Sequence, residues 1–201
     1  MATKGEHTKQ KIIEDATRLF HRKGFGATSV SDLLSAIGVT KGSLYFHYPG
    51  KEALGLAVLE KEAGAFMRFL DDTLNGATPA DSLDNFFKEA LHKHQQSDFI
   101  GGCLFGNTAL EASDTSPIYA RIVAEVFNAW AEKLRTIIAQ AQESELIRRD
   151  VPAEQLAQLV VATIEGAIMQ SRLHKSAEPM TRALETLRTL LGLKLRNKLN
   201  A

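Results

Sequence analysis

Apolar residues recur along this chain at intervals of three and four, the spacing that gathers them on one side of a helix. Ile12, Ile13, Ala16, Leu19 and Phe20 form the first such stripe and predict a helix over 9–23. Gly24 followed by Phe25 predicts its end: a left-handed glycine, then an apolar residue folding back over the last turn. Val30, Leu33, Leu34 and Ile37 predict a short second helix, entered through Thr28 and Ser29 with Asp32 in its first turn and left at Gly38. A third begins at Lys41 behind Thr40 and stops at Pro49-Gly50. Leu54, Val58, Leu59, Phe66, Phe69 and Leu70 carry a long fourth helix over 51–74, which Asn75-Gly76 breaks. Thr78-Pro79-Ala80-Asp81 restarts the chain with a hydroxyl cap, a proline at the first position and an acid in the first turn. Further helices are predicted over 103–113 and 116–143, from Pro152, and from Pro179. The pattern holds about nine helices, no convincing strand and no tandem repeat, so the expected fold class is all-α.

Residues 28–48 concentrate the functional signal. Two short helices joined by a glycine-containing turn make a helix-turn-helix unit. Leu44, with Val39, is the inward anchor of the third helix, whereas Lys41, Gly42, Ser43, Tyr45 and His47 are small, polar or basic. A supporting helix of this length would carry more apolar positions. A helix that enters the DNA major groove needs donors and room for close approach.

The matching residues are Ala16, Leu19, Phe20, Gly24, Phe25, Thr28, Ser29, Val30, Leu33, Gly38, Val39, Lys41, Gly42, Ser43, Leu44, Tyr45, His47, Lys51 and Leu54. On them, residues 9–54 resemble the DNA-binding domain of the TetR family of bacterial transcriptional regulators. Leu34 and Ile37 depart from the small residues common in that family and imply a fuller interior between the two helices. The resemblance implies a helix-turn-helix domain over 1–50 and a regulatory domain for effector binding and dimerisation over 51–201. It places Lys41, Ser43 and Tyr45 at bases or groove, and Thr28, His47 and Lys51 at phosphates that set register. Ser29, Thr40 and Gly42 complete the expected DNA-contacting set. The implied partners are a palindromic double-stranded operator, a small-molecule effector that releases it, and a second copy of the chain bound through the last two helices. The expected protein is a repressor, not an enzyme, with no cofactor.

Charge and composition adjust this picture in one respect. The whole chain is neutral, which alone argues against nucleic acid, but residues 1–51 hold eight Lys/Arg against four Asp/Glu and the remainder sixteen against twenty. A +4 segment on a −4 body is the asymmetry expected if only the first part meets phosphate. No apolar run approaches the ~20 residues needed to span a bilayer, and the first residues lack the apolar core of a signal peptide. A cytoplasmic protein is expected. One cysteine excludes an internal disulfide, which fits a reducing compartment.

The body offers candidates of a less specific kind. Its last two helices are apolar over more than one stripe, broader than a monomer exposes, and Ala162, Gly166 and Ala167 permit close approach. Phe66, Phe69, Phe127 and Trp130 are candidates for an effector pocket, as are Asn107, Glu111 and Glu165 on otherwise apolar helices, with Met169 and Cys103. Aromatic residues at helical spacing are more often plain core, and pairing with Arg172 is the competing reading of Glu165. Cys103 follows Gly101-Gly102 at a helix start, where the dipole lowers a thiol pKa. That placement opens an alternative, a thiol-based redox or electrophile-responsive regulator, and beyond it a cysteine-dependent enzyme. The competing reading is a buried cysteine acting as a small hydrophobe. His92 and His94 stand two apart on a helix and point to different faces, so no metal site is expected.

Overall fold

The computed structural model describes residues 4–195, and side chains from residue 5 onward. Among these residues there are nine α-helices and no strand: α1 Lys4–Lys23, α2 Val30–Ile37, α3 Lys41–His47, α4 Lys51–Thr73, α5 Pro79–Gln96, α6 Leu104–Ala112, α7 Pro117–Glu143, α8 Ala153–His174 and α9 Glu178–Leu191. The fold is all-α, as the periodicity predicts. Helix α1 begins earlier than the apolar stripe suggested, because the polar turn ahead of Ile12 continues the helix with Glu6 near its positive end. No helix among the described residues is long and apolar enough to cross a membrane.

The punctuation read from sequence is present in the backbone. Ser29 and Asp32 form a reciprocal capping box: Asp32 N–H donates to Ser29 Oγ at 3.0 Å and Ser29 N–H donates to Asp32 Oδ2 at 2.9 Å. Gly24 and Gly38 close α1 and α2 at φ 85° and 72°, where a side chain would be strained. Thr40 and Thr78 cap α3 and α5 by accepting the N–H of Ser43 and Asp81.

Two compact units emerge. The first holds the chain up to Gly64 together with Cys103–Ala124; the second holds Ala65–Gly102 and the chain from Glu125 on. Helices α4 and α7 contribute residues to both. The core of the first unit joins Ile12, Ala16 and Phe20 of α1 to Leu33 and Ile37 of α2, Leu44 of α3, Tyr48, and Leu54 and Val58 of α4. Leu44 is the one buried residue of α3.

In the second unit Leu83, Phe86 and Phe87 of α5 are buried, with Trp130, Leu134 and Ile138 of α7. Val160 and Ile164 of α8 and Met180, Leu184, Leu187 and Leu191 of α9 are buried too. Each such side chain contributes roughly 1.5–3 kcal/mol when fully buried. Helix α9 packs on α8 and α5. Its N-cap residue Ala177 gives no side-chain cap, but Ser176 Oγ accepts the Glu178 N–H at 3.2 Å and the buried Ser171 Oγ of α8 accepts the Met180 N–H at 3.1 Å. Asp84, 4% exposed, ties α5 to α9 by accepting from Arg188 Nε at 2.6 Å, and pairs with Lys88 Nζ at 2.7 Å. Burial pulls its pKa upward, but the hydrogen bonds from Lys88 and Arg188 together outweigh that and hold it below the ordinary carboxylate value.

Candidate nucleic-acid interface

Helix α3 is held by its neighbours and leaves most of its surface open. Counting ~100° per residue around the axis, Leu44 points inward while Gly42 and Phe46 point away from it. Lys41, Gly42, Tyr45 and Phe46 are exposed, and Ser43 and His47 half-buried. Lys41 Nζ lies 5.8 Å from the Tyr45 ring centre, so the cation and the phenol occupy neighbouring ground. A methyl group added at Gly42 would meet nothing within 4 Å. Nothing among the described residues therefore demands glycine there.

Two expected contacts are corrected. Thr28 is fully buried, and its hydroxyl donates to Gly24 carbonyl oxygen at 2.7 Å. Its side chain joins the end of α1 to the start of α2 and has no outward donor for phosphate. Lys51 is likewise turned inward: Nζ donates to the carbonyls of Phe25 and Thr28 at 3.0 and 2.9 Å and lies 4.5 Å from the Phe25 ring centre. Two of its three N–H donors thus hold the α1–α2 turn against α4. Ser29 and Thr40 are exposed, with hydroxyls that serve as helix caps.

Asp32 strengthens the same frame. The Ser29 backbone N–H and the Lys23 ammonium, at 3.0 Å, lower its carboxyl pKa to about 2. On the other side of the unit, Lys11 Nζ donates to the carbonyl of Ile37 at the end of α2.

The sequence-based pocket candidates divide between the units. Glu111 of α6 belongs to the first, where its carboxylate accepts the backbone N–H of Gly26 at 3.1 Å. A side chain at Gly24 would overlap that carboxylate. Tyr119 of α7 meets Phe25 edge-on at 4.8 Å and donates its hydroxyl to the Glu52 carbonyl at 2.9 Å. Burial, with the nearby Glu52 charge, pushes its phenol pKa up. Gly55 permits this approach, since a Cβ there would overlap the Tyr119 hydroxyl and stand 2.6 Å from the Phe25 ring. Asn107 and Glu111 line a crevice with Phe20, Phe25 and Tyr119. These grips join residues more than sixty positions apart, and no sequence pattern announces them. Cys103 caps α6, its Sγ accepting the Gly106 N–H at 3.4 Å.

In the second unit Phe66, Phe69, Phe127 and Trp130 do come together. Trp130 meets Phe66 edge-on at 5.3 Å and stacks on Phe127 at 6.1 Å, while Phe69 meets Phe86 at 6.3 Å. Trp130 is 2% exposed, and its buried indole N–H has no acceptor among the described residues. Glu165 is half-buried on α8. Met169 is 61% exposed on α8 and is not among the aromatic residues that come together in this unit. It stands with Leu159, Leu173 and Leu190 as exposed apolar positions of α8 and α9.

A capped helix-turn-helix with an open outer face, in a chain whose described residues are all-α, defines a DNA-binding transcriptional regulator. Comparison with known proteins gives the family. Residues 12–58 match the family model of bacterial regulatory proteins of the tetR family, and residues 79–187 match the tetracyclin repressor-like C-terminal domain. The transcriptional repressor DhaR of Mycobacterium sp. (strain GP1) is 30% identical over 178 residues, 88% of each chain. A TetR transcriptional regulator from Chloroflexus aurantiacus superposes with a TM-score of 0.86 at 32% identity, covering 95% of this chain and 97% of that one. Escherichia coli NemR in its reduced form superposes with a TM-score of 0.83 at 25% identity, over 92% and 97% of the two chains. The chain belongs to the TetR family of bacterial transcriptional regulators, a family of DNA-binding regulators and not of enzymes.

Proposed function

We propose that this protein is a homodimeric cytoplasmic repressor that grips a palindromic operator through α3 and lets go when a small effector binds its body. The observation that carries the reading is the outer face of α3, where a lone buried anchor leaves Lys41, Gly42, Tyr45 and their neighbours open. Lys41, Ser43 and Tyr45 supply donors to base edges, and His47 and Thr40 supply donors to phosphates. The Thr40 hydroxyl accepts from Ser43, which leaves its own proton to donate outward. Helix-turn-helix regulators bind as dimers with recognition helices ~34–36 Å apart. The exposed Leu159, Met169, Leu173 and Leu190 support a dimer built on α8 and α9. We take residues 1–50 as the DNA-binding domain and 51–201 as the regulatory one.

The effector reading rests on Trp130. A buried indole N–H without an acceptor is uncommon; among Phe66, Phe86 and Phe127 it suits an apolar, flat effector carrying one hydrogen-bond acceptor. Helix α4 is continuous from Lys51 to Thr73, so a displacement near Phe66 and Phe69 reaches Lys51, whose ammonium holds the α1–α2 turn. The effector must bind the DNA-free state more tightly for this to release the operator.

Selection of bound duplexes from a random DNA pool tests the reading. An enriched inverted repeat with fixed half-site spacing is expected; salt-dependent binding without any motif would contradict it. A second reading, thiol sensing, is favoured by one observation, the Cys103 Sγ at the N-terminus of α6. Modification of the thiol would remove the cap of the helix that carries Glu111. Under this reading Cys103→Ser keeps operator binding but loses release by N-ethylmaleimide. If the serine variant is released as readily as the parent, thiol sensing is excluded.

A further inference from the structure

One large apolar side chain of α3 has no role in the fold. Phe46 is 85% exposed, and the ring contact it makes is edge-on to His47, at 5.1 Å between centres. It shares the outermost strip of the helix with Gly42, one turn earlier. The two differ in chemistry from the residues beside them. Lys41, Ser43, Tyr45 and His47 all carry hydrogen-bonding groups suited to phosphates and base acceptors. Phe46 carries none, so a phosphate gives it nothing to bind. With α3 in the major groove, the absence of a side chain at Gly42 would let the backbone approach the groove floor and bring the Phe46 ring within reach of the base edges. The major groove presents one apolar group at that depth, the C5 methyl of thymine.

We infer that Phe46 is a specificity-determining residue that reads the C5 methyl group of a thymine in each half-site. The assignment rests on α3 being the recognition helix.

The test uses the full-length chain and the duplex enriched from a random pool. Each thymine is replaced in turn, in both half-sites, by deoxyuridine, which removes the methyl group and leaves every hydrogen-bonding group in place. The parent protein is expected to lose affinity at one symmetric thymine position, about fourfold per half-site for the loss of one buried methyl. Phe46→Ala is expected to bind the thymine duplex more weakly by a similar factor and to be indifferent to deoxyuridine at that position. A Phe46→Ala loss that is equal on all duplexes, with deoxyuridine tolerated everywhere by the parent, would overturn the assignment and place the ring on the sugar backbone. Unchanged binding by Phe46→Ala would overturn it as well. No enriched duplex at all would overturn the DNA-binding reading itself, a result distinct from equal binding to thymine and uracil.

Discussion

The two units use their side chains in opposite ways. In the second, Phe66, Phe86, Phe127 and Trp130 turn toward one another, and α8 and α9 each bury long apolar stripes. In the first, α3 buries only Leu44 and leaves even an aromatic ring in solvent. A surface that reads an external partner cannot also stabilise itself. Its shape is maintained from outside, by the Ser29–Asp32 capping box and the Thr40 cap, by Lys51 on the α1–α2 turn and by Glu111 and Tyr119 on the same turn and on α4. The second unit turns most of its apolar side chains inward, with Leu159, Met169, Leu173 and Leu190 among the exposed exceptions.

The largest effect should come from removing the one internal anchor. Leu44→Ala is expected to destabilise the first unit by about 3 kcal/mol, the order found for buried leucine truncations. DNA binding is lost with it. Trp130, the chain's single tryptophan, lies in the second unit, so its emission-detected transition should move far less than the far-ultraviolet signal. Equal shifts in both would show that the units do not behave differently.

In the second unit the counterpart is Asp84→Ala, which strands Arg188 and Lys88 beside a vacated site. The expected loss is about 2–3 kcal/mol, less than the ~3–5 of fully buried pairs because both cations still reach water. Here the Trp130 transition should shift while the α3 surface stays intact. Gly55→Ala forces a methyl into Tyr119 and Phe25 and should cost about 1–3 kcal/mol of the first unit's stability. Relief by Tyr119→Phe, which removes the overlapped hydroxyl, distinguishes this packing cause from a backbone one.

The smallest effect is one of pH. Asp32 has its pKa lowered to about 2 from an ordinary 3.8, so its contribution is complete above about pH 4 and disappears as pH falls toward 2. The first unit should lose stability across that window, and Asp32→Asn should remove this component. Persistence of the same acid dependence in the variant would assign it to other carboxyls.

Much of this was legible in the residues, and for a reason. Caps, left-handed glycines and apolar stripes are local, and local chemistry fixes where helices begin and end: Ser29 with Asp32, Thr40, Gly38 and Thr78 all behave as their types require. What failed was the direction of individual side chains. Thr28 and Lys51 are polar residues beside the helix-turn-helix, yet each finds backbone carbonyls within the first unit. Met169 sits in an apolar helix but on its exposed side. Glu111 lines a crevice and also grips Gly26 across 85 residues of chain. Such contacts depend on the packing of distant elements, which periodicity does not encode. Phe46 carries no hydrogen-bonding group, so a search of α3 for donors does not find it; its 85% exposure does.

Gly42 gives the central claim its most direct test. Two glycines of the first unit contrast: Gly55 is closed by Tyr119 and Phe25, and Gly42 faces open space. If Gly42 is bare to admit DNA and not to serve the fold, Gly42→Ala should stabilise the protein by about 0.5–1 kcal/mol through helix propensity. The same substitution should weaken binding to the enriched inverted repeat at least tenfold, measured by titration alongside thermal unfolding. Stability up and affinity down is the result the account predicts. Affinity unchanged with stability raised would mean that the outer face of α3 does not approach the DNA, and would contradict it.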